Sequence, residues 1–197
     1  MADLKTWNGV TRANVKTFDG LASASWKTWN GLNTVTATGP AESQDSYNST
    51  QLIAAASGYY YSGQGRWSNA SARTINKIAF NLTKSAGSIS AKTYSCKIWT
   101  MTGTYNLDVL QATSDGVTGD NGWSSTWVEF TFSTPFPTTG GVAYAFTLDI
   151  GGTDGSNYAS LSYSSSVSTF PGGNDYWNSG KAAQLGASTD CAIRIWY

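Results

Sequence analysis

The stretch STWVEFTFS, residues 125–133, decides the fold class. It alternates strictly, with Val128, Phe130 and Phe132 on one side and Trp127, Glu129 and Thr131 on the other. A period of two is what a β-strand imposes, because successive side chains leave opposite faces of the pleat. One apolar and one mainly polar face mean a half-buried antiparallel strand. The same pattern recurs on either side. TINKIAFNLTK (74–84) sets Ile78, Phe80 and Leu82 against Ala79, Asn81 and Thr83, and SISAKTYSCKIWTM (88–101) sets Tyr94, Cys96 and Ile98 against Ser95, Lys97 and Trp99. YNLDVLQAT (105–113) is shorter and less regular. GVAYAFTLDI (141–150) offers Tyr144, Phe146, Leu148 and Ile150, and NYASLSYSS (157–165) offers Ala159, Leu161 and Tyr163. DCAIRIWY (190–197) turns Cys191, Ile193, Ile195 and Tyr197 inward and Arg194 and Trp196 outward. Glycine-rich runs such as DGVTGDNG (115–122), PTTGG (137–141) and PGGND (171–175) separate these stretches. About eight strands at this spacing predict an all-β fold, an antiparallel two-sheet sandwich of jelly-roll type over residues 59–197. A domain of about 140 residues buries about two-thirds of its surface and can stand alone.

Ahead of the sandwich lies an internal repeat: LKTWNGVTRAN (4–14), VKTFDGLASAS (15–25) and WKTWNGLNTVT (26–36). A fixed period marks one small structural unit used several times. Asn8-Gly9, Asp19-Gly20 and Asn30-Gly31 are two-residue hairpin turns, because a type I′ turn needs positive φ at both central positions. Those turns set Trp7 opposite Val10, Phe18 opposite Leu21 and Trp29 opposite Leu32. Lys5 then faces Arg12, and on the other face Leu4 meets Ala13, Val15 meets Ala24 and Trp26 meets Val35. Apolar groups on both faces of an isolated hairpin, which is marginal in water, call for a partner. The reading is thus 1–36 as a hairpin segment for attachment or oligomerisation and 37–58 as a linker, its LIAAAS end a first strand or a short helical turn.

The composition excludes several classes. Net charge is zero, and 12% of residues are charged, about half the usual share, so no nucleic-acid partner is expected. No apolar run reaches membrane-spanning length, and the N-terminus shows no signal-peptide core, so synthesis in a cytoplasm without membrane insertion is expected. Histidine is absent, which removes the Ser-His-Asp and Cys-His machineries and His-based zinc sites. Cys96 and Cys191 fit no zinc spacing. They read as reduced, buried small residues, with a late disulfide open if their strands are neighbours. Asp149 with Asp154, and Asp115 with Asp120, flank turns; two such acids can bind calcium or serve glycosidase chemistry, but turn geometry is the simpler role. SGQG (62–65) reads as a turn, since no Lys-Ser/Thr and helix follow it. No cofactor, metal or catalytic residue is expected.

The pieces TWVEFTF (126–132), PFP (135–137), GGVAYAFTL (140–148), GSNYASLSY (155–163) and GGNDYW (172–177) resemble jelly-roll modules of tailed-phage and prophage virion proteins and of metagenomic surface proteins. The Lys-Thr-Trp/Phe-Asn/Asp-Gly repeats also look like phage structural proteins. The loop 171–187 departs from that pattern in lacking tandem Gly-Gly-x-Trp. The resemblance implies a virion structural protein made in the host cytoplasm: a capsid decoration or a head or tail appendage, trimeric, bound to other virion proteins. Trp7, Val10, Phe18, Leu21, Trp26, Trp29 and Leu32 would then carry attachment. The alternative is a carbohydrate-binding module of a bacterial surface or secreted protein, and a virion module can itself adhere to host glycans. Trp67, Trp123, Tyr176 and Trp177, together with Tyr59–Tyr61, are expected in loops or at strand ends, where flat rings with polar tips suit sugars and protein partners. Packing beneath long loops is the competing role for each. Trp99, Trp127 and Trp196 are expected on the outer strand faces.

Overall fold

The computed structural model describes the backbone of residues 6–7, 10–11, 17–18, 21–22, 28–29, 32–33, 39–53, 61–102, 106–151, 156–165, 174–178 and 190–197. The chain divides into two compact units, Met1–Gly39 and Pro40–Tyr197. Among the described residues there is no helix.

In the first unit the strands come in three pairs. They are β1 (Thr6–Trp7) with β2 (Val10–Thr11), β3 (Thr17–Phe18) with β4 (Leu21–Ala22), and β5 (Thr28–Trp29) with β6 (Leu32–Asn33). Their registers are equivalent: Trp7 opposite Val10, Phe18 opposite Leu21, Trp29 opposite Leu32. This is the pairing that a two-residue connection imposes.

The second unit is an antiparallel two-sheet sandwich. Its strands are β7 (Glu42–Gln44), β8 (Ser49–Ile53), β9 (Tyr61–Trp67), β10 (Thr74–Ala86), β11 (Thr93–Thr102), β12 (Asn106–Thr113) and β13 (Val117–Thr118). They continue with β14 (Thr126–Pro137), β15 (Tyr144–Gly151), β16 (Tyr158–Ser164), β17 (Asn174–Asn178), β18 (Asp190–Cys191) and β19 (Ile193–Trp196). One sheet runs β18-β16-β10-β19-β7, with β14 also on β10 and β8 on β16; the other runs β12-β11-β15-β9-β17, with β13 on β11. The alternation read from the sequence sets the inward faces. Ile78, Phe80, Leu82, Val128, Phe130, Ile193 and Ile195 of the first sheet meet Tyr94, Cys96, Ile98, Phe146 and Leu148 of the second in one buried cluster. Each large apolar side chain so buried contributes about 1.5–3 kcal/mol.

One polar link crosses this core. Gln64 of β9 donates from Nε2 to Asp190 Oδ1 at 3.1 Å, and its Oε1 accepts the Cys191 N–H at 2.7 Å. All three residues are buried, so a polar group in each sheet is satisfied by the other.

The outer face of the first sheet is laced by charge and aromatic rings. Lys77 Nζ pairs with Glu129 at 2.9 Å and lies 4.2 Å from the Trp196 ring centroid. The Arg194 guanidinium lies 3.9 Å from the Trp127 centroid, and its Nε donates to Asp45 at 2.8 Å. Trp127 and Trp196 thus sit on the outer face as expected. Trp99 does as well, on the second sheet, but it is buried with Leu107 and Ala145, and its indole N–H donates to Thr147.

Three expectations change. Residues 37–58 are not merely a linker: β7 pairs with β19 and β8 with β16. The SGQG segment is no turn but the middle of β9, paired with both β15 and β17. The glycine-rich composition has another cause there. A Cβ at Gly63 would lie 1.9 Å from the Phe146 carbonyl oxygen, a close strand approach that only glycine permits. GGNDYW contributes β17, so Tyr176 and Trp177 lie on an edge strand and not in a loop. Cys96 and Cys191 are reduced and buried as expected, and their strands are not neighbours in one sheet.

Candidate functional site

The residues expected to mediate attachment divide in two. Trp7, Val10, Phe18, Leu21, Trp29 and Leu32 occupy the paired positions described above. Trp26 and the turn residues Asn8, Gly9, Asp19, Gly20, Asn30 and Gly31 lie outside the described residues.

The aromatic residues expected to meet a glycan do not form one surface. Trp67 is fully buried, its ring 5.4 Å from Phe146 and 6.1 Å from Tyr144. Trp123 is 8% exposed and packs edge-on against Tyr94 at 5.1 Å. Both are core residues. A large ring next to a turn gains more from burial than from solvent contact, and the run of polar and small neighbours concealed this in the sequence. Tyr176 and Trp177 lie at the register positions opposite Gly63 and Ser62.

The acids read as turn residues are engaged locally. Asp120 Oδ1 accepts the Gly122 N–H at 2.8 Å, and Asp115 Oδ2 accepts the Ser133 hydroxyl at 2.6 Å. Asp149 pairs with Lys97 across β11 and β15. Asp154 lies outside the described residues.

The arrangement with the clearest binding geometry was not marked in the sequence. It begins at Glu42 on β7. One oxygen, Oε2, accepts the Trp67 indole N–H at 2.7 Å; the other, Oε1, accepts Asn69 Nδ2 at 3.2 Å and the Tyr197 hydroxyl. Burial first, and then the hydrogen bond and charge of Glu42, raise the Tyr197 hydroxyl well above the ordinary phenol value. The Arg73 guanidinium lies 5.5 Å from the centroid of the Tyr197 ring. The backbone of Arg73 is clamped to Thr138, whose N–H donates to the Arg73 carbonyl at 2.7 Å and whose hydroxyl oxygen accepts the Arg73 N–H at 2.9 Å. Arg73, Thr138 and Tyr197, with Ala72, Thr74 and Pro137, line a cavity of about 350 Å³. Only Tyr197 carried a signal, its place in the inward series of the last strand. Glu42 sits in a segment without periodicity, and Arg73 immediately precedes β10.

A scan against protein-family models finds no match to the chain, and a search of curated proteins finds none either.

Proposed function

We propose that the chain is a structural display component of a phage virion, made in the host cytoplasm, in which the hairpin repeats dock or trimerise and the sandwich projects outward. A capsid decoration or a head or tail appendage fits this arrangement. The observation that carries the reading is the division of the chain. Three hairpins in equivalent register form a unit apart from a sandwich that closes its own core. Strand pairs of two residues each cannot hold themselves in water, so they need copies of themselves or another virion protein. The sandwich has no such need. The reading gives the chain no catalytic role, consistent with the absence of histidine and with acids engaged in turns and ion pairs.

Light scattering on the full chain and on the fragment beginning at Pro40 tests this. The full chain is expected to be oligomeric and the fragment monomeric and folded. Two monomers of unchanged behaviour would remove the assembly role from the repeats.

A second reading, a carbohydrate-binding module of a bacterial surface or secreted protein, loses Trp67 and Trp123 as contacts. It retains one observation in its favour, the cavity beside Arg73 and Tyr197.

A further inference from the structure

We propose that this cavity binds a sugar residue bearing a carboxylate, of the uronic or sialic acid type, with Arg73 as the carboxylate-reading group. Assembly through the repeats is a separate matter, and either could fail without the other.

The charge state of the site comes first. Lys77, Lys97 and Arg194 each have a carboxylate partner. Arg73 is exposed and has none among the described residues. Glu42, which shares Tyr197 with it, has its oxygens engaged by Trp67, Asn69 and Tyr197. The site therefore presents a guanidinium with no carboxylate in ion-pair contact among the described residues. A guanidinium offers donors in a planar fork that matches a carboxylate in two parallel hydrogen bonds.

Preorganisation comes second. The two-way clamp to Thr138 fixes the Arg73 backbone, and Thr138 itself is buried. The Tyr197 ring beneath the guanidinium is held at its hydroxyl by Glu42 and flanked by Trp67 at 6.4 Å. The Arg73 backbone and the Tyr197 ring therefore have little freedom to lose when a ligand arrives, which favours binding.

Shape and lining come third. A volume of about 350 Å³ falls in the range of small-molecule sites, and the site is a shallow depression open to solvent. Ala72, Pro137 and the Tyr197 ring supply apolar surface for the C–H face of a pyranose, and Thr74 supplies a hydroxyl. A bare anion would make no use of that apolar wall.

The experiment titrates the full chain, observed by NMR shifts, with glucuronate, galacturonate and N-acetylneuraminate. Glucose, galactose, acetate and an aspartate-rich peptide are run beside them. At least one acidic sugar is expected to bind about tenfold or more tightly than the neutral sugars and acetate, as loss of a charge-assisted contact implies. Its affinity should fall with salt, and Arg73→Gln should abolish the preference while Arg73→Lys retains part of it. The circular dichroism of both variants should match the parent, since Arg73 is exposed. Acidic sugars binding no better than neutral ones, or Arg73→Gln binding unchanged, would overturn the proposal. Acetate binding as tightly as the sugars would reduce the site to a simple anion contact, and tighter binding of the peptide would assign it to a protein partner; either result overturns the sugar site.

Discussion

The carboxylate of Glu42 accepts the indole N–H of Trp67 at 2.7 Å, joining the first strand of the sandwich to its core. Trp67 is fully buried, and the same carboxylate satisfies Asn69 and Tyr197. Glu42→Ala therefore leaves a buried indole donor without its acceptor. The expected loss is about 2–3 kcal/mol, read as a lower urea midpoint with tryptophan fluorescence as the probe. Glu42→Gln, which keeps an acceptor oxygen, should lose less. Equal midpoints for parent and Glu42→Ala would show that solvent replaces the carboxylate at no cost.

Gly63 is a steric requirement within β9. Its added Cβ would lie 1.9 Å from the Phe146 oxygen and 2.8 Å from the Thr147 Cα. Both are backbone atoms of the paired strand β15, so a rotamer change cannot relieve the clash. Gly63→Ala is expected to cost about 3 kcal/mol or more, at the upper end of ordinary point substitutions. Gly141, with nothing within 4 Å of its added Cβ but a φ of +77°, should lose only about 1 kcal/mol as alanine, from backbone strain alone. Thermal unfolding of both variants orders the two effects; a larger loss at Gly141 would reverse the explanation.

These residues also show what the sequence could and could not reveal. The alternation in 126–132 and 191–195 marks the core directly, because a strand's two faces see different solvents. Val128, Phe130, Ile193 and Ile195 are buried where that pattern puts them. The hairpin register was legible from the Asn-Gly and Asp-Gly pairs for the same local reason. The strands β7, β9 and β17 were not legible, and of β8 only the Leu52-Ile53 end was, as one of two alternatives. Their placement depends on partners distant in sequence, and glycine, serine and asparagine there resemble turn residues. Which role Trp67 and Trp123 take is hidden in the sequence for a related reason, since a tryptophan's surroundings are set by the opposite sheet and not by its neighbours in sequence. The cavity depends on Arg73, Pro137 and Tyr197 meeting across the chain, and no local spacing encodes that meeting.

The two thiols should be inert in the folded protein. Burial pushes the Cys96 thiol far above its usual range, and reactivity requires the thiolate. Cys191 is equally enclosed. A thiol reagent at neutral pH should label neither until urea unfolds the chain, and then both. Rapid labelling without denaturant would contradict the closed core.

Alkali should destabilise the sandwich through its tyrosines. Burial, partly opposed by the Ala159 backbone, pushes the Tyr94 hydroxyl from its ordinary 10.0 up to about 12, and Tyr197 is raised as well. The unfolded chain releases these protons first, so the native state holds more protons in the interval between. Stability is therefore fully present below pH 10 and falls as pH rises through about 12, by at most about 1.4 kcal/mol per pH unit for each tyrosine. Urea midpoints taken across that interval should decline, and Tyr94→Phe should flatten the curve. A midpoint independent of pH in this range would mean that neither hydroxyl is shielded.

The central claim, that the hairpin repeats drive assembly of a self-sufficient sandwich, is tested most directly by sedimentation equilibrium on the full chain carrying Gly9→Val, Gly20→Val and Gly31→Val. Valine cannot adopt the positive φ of a type I′ turn at low cost, while residues 40–197 keep their sequence. The parent should sediment as an oligomer, and the triple variant as a monomer with the same cooperative unfolding of its sandwich. A triple variant that assembles like the parent, or a parent that is monomeric in the first place, would contradict it.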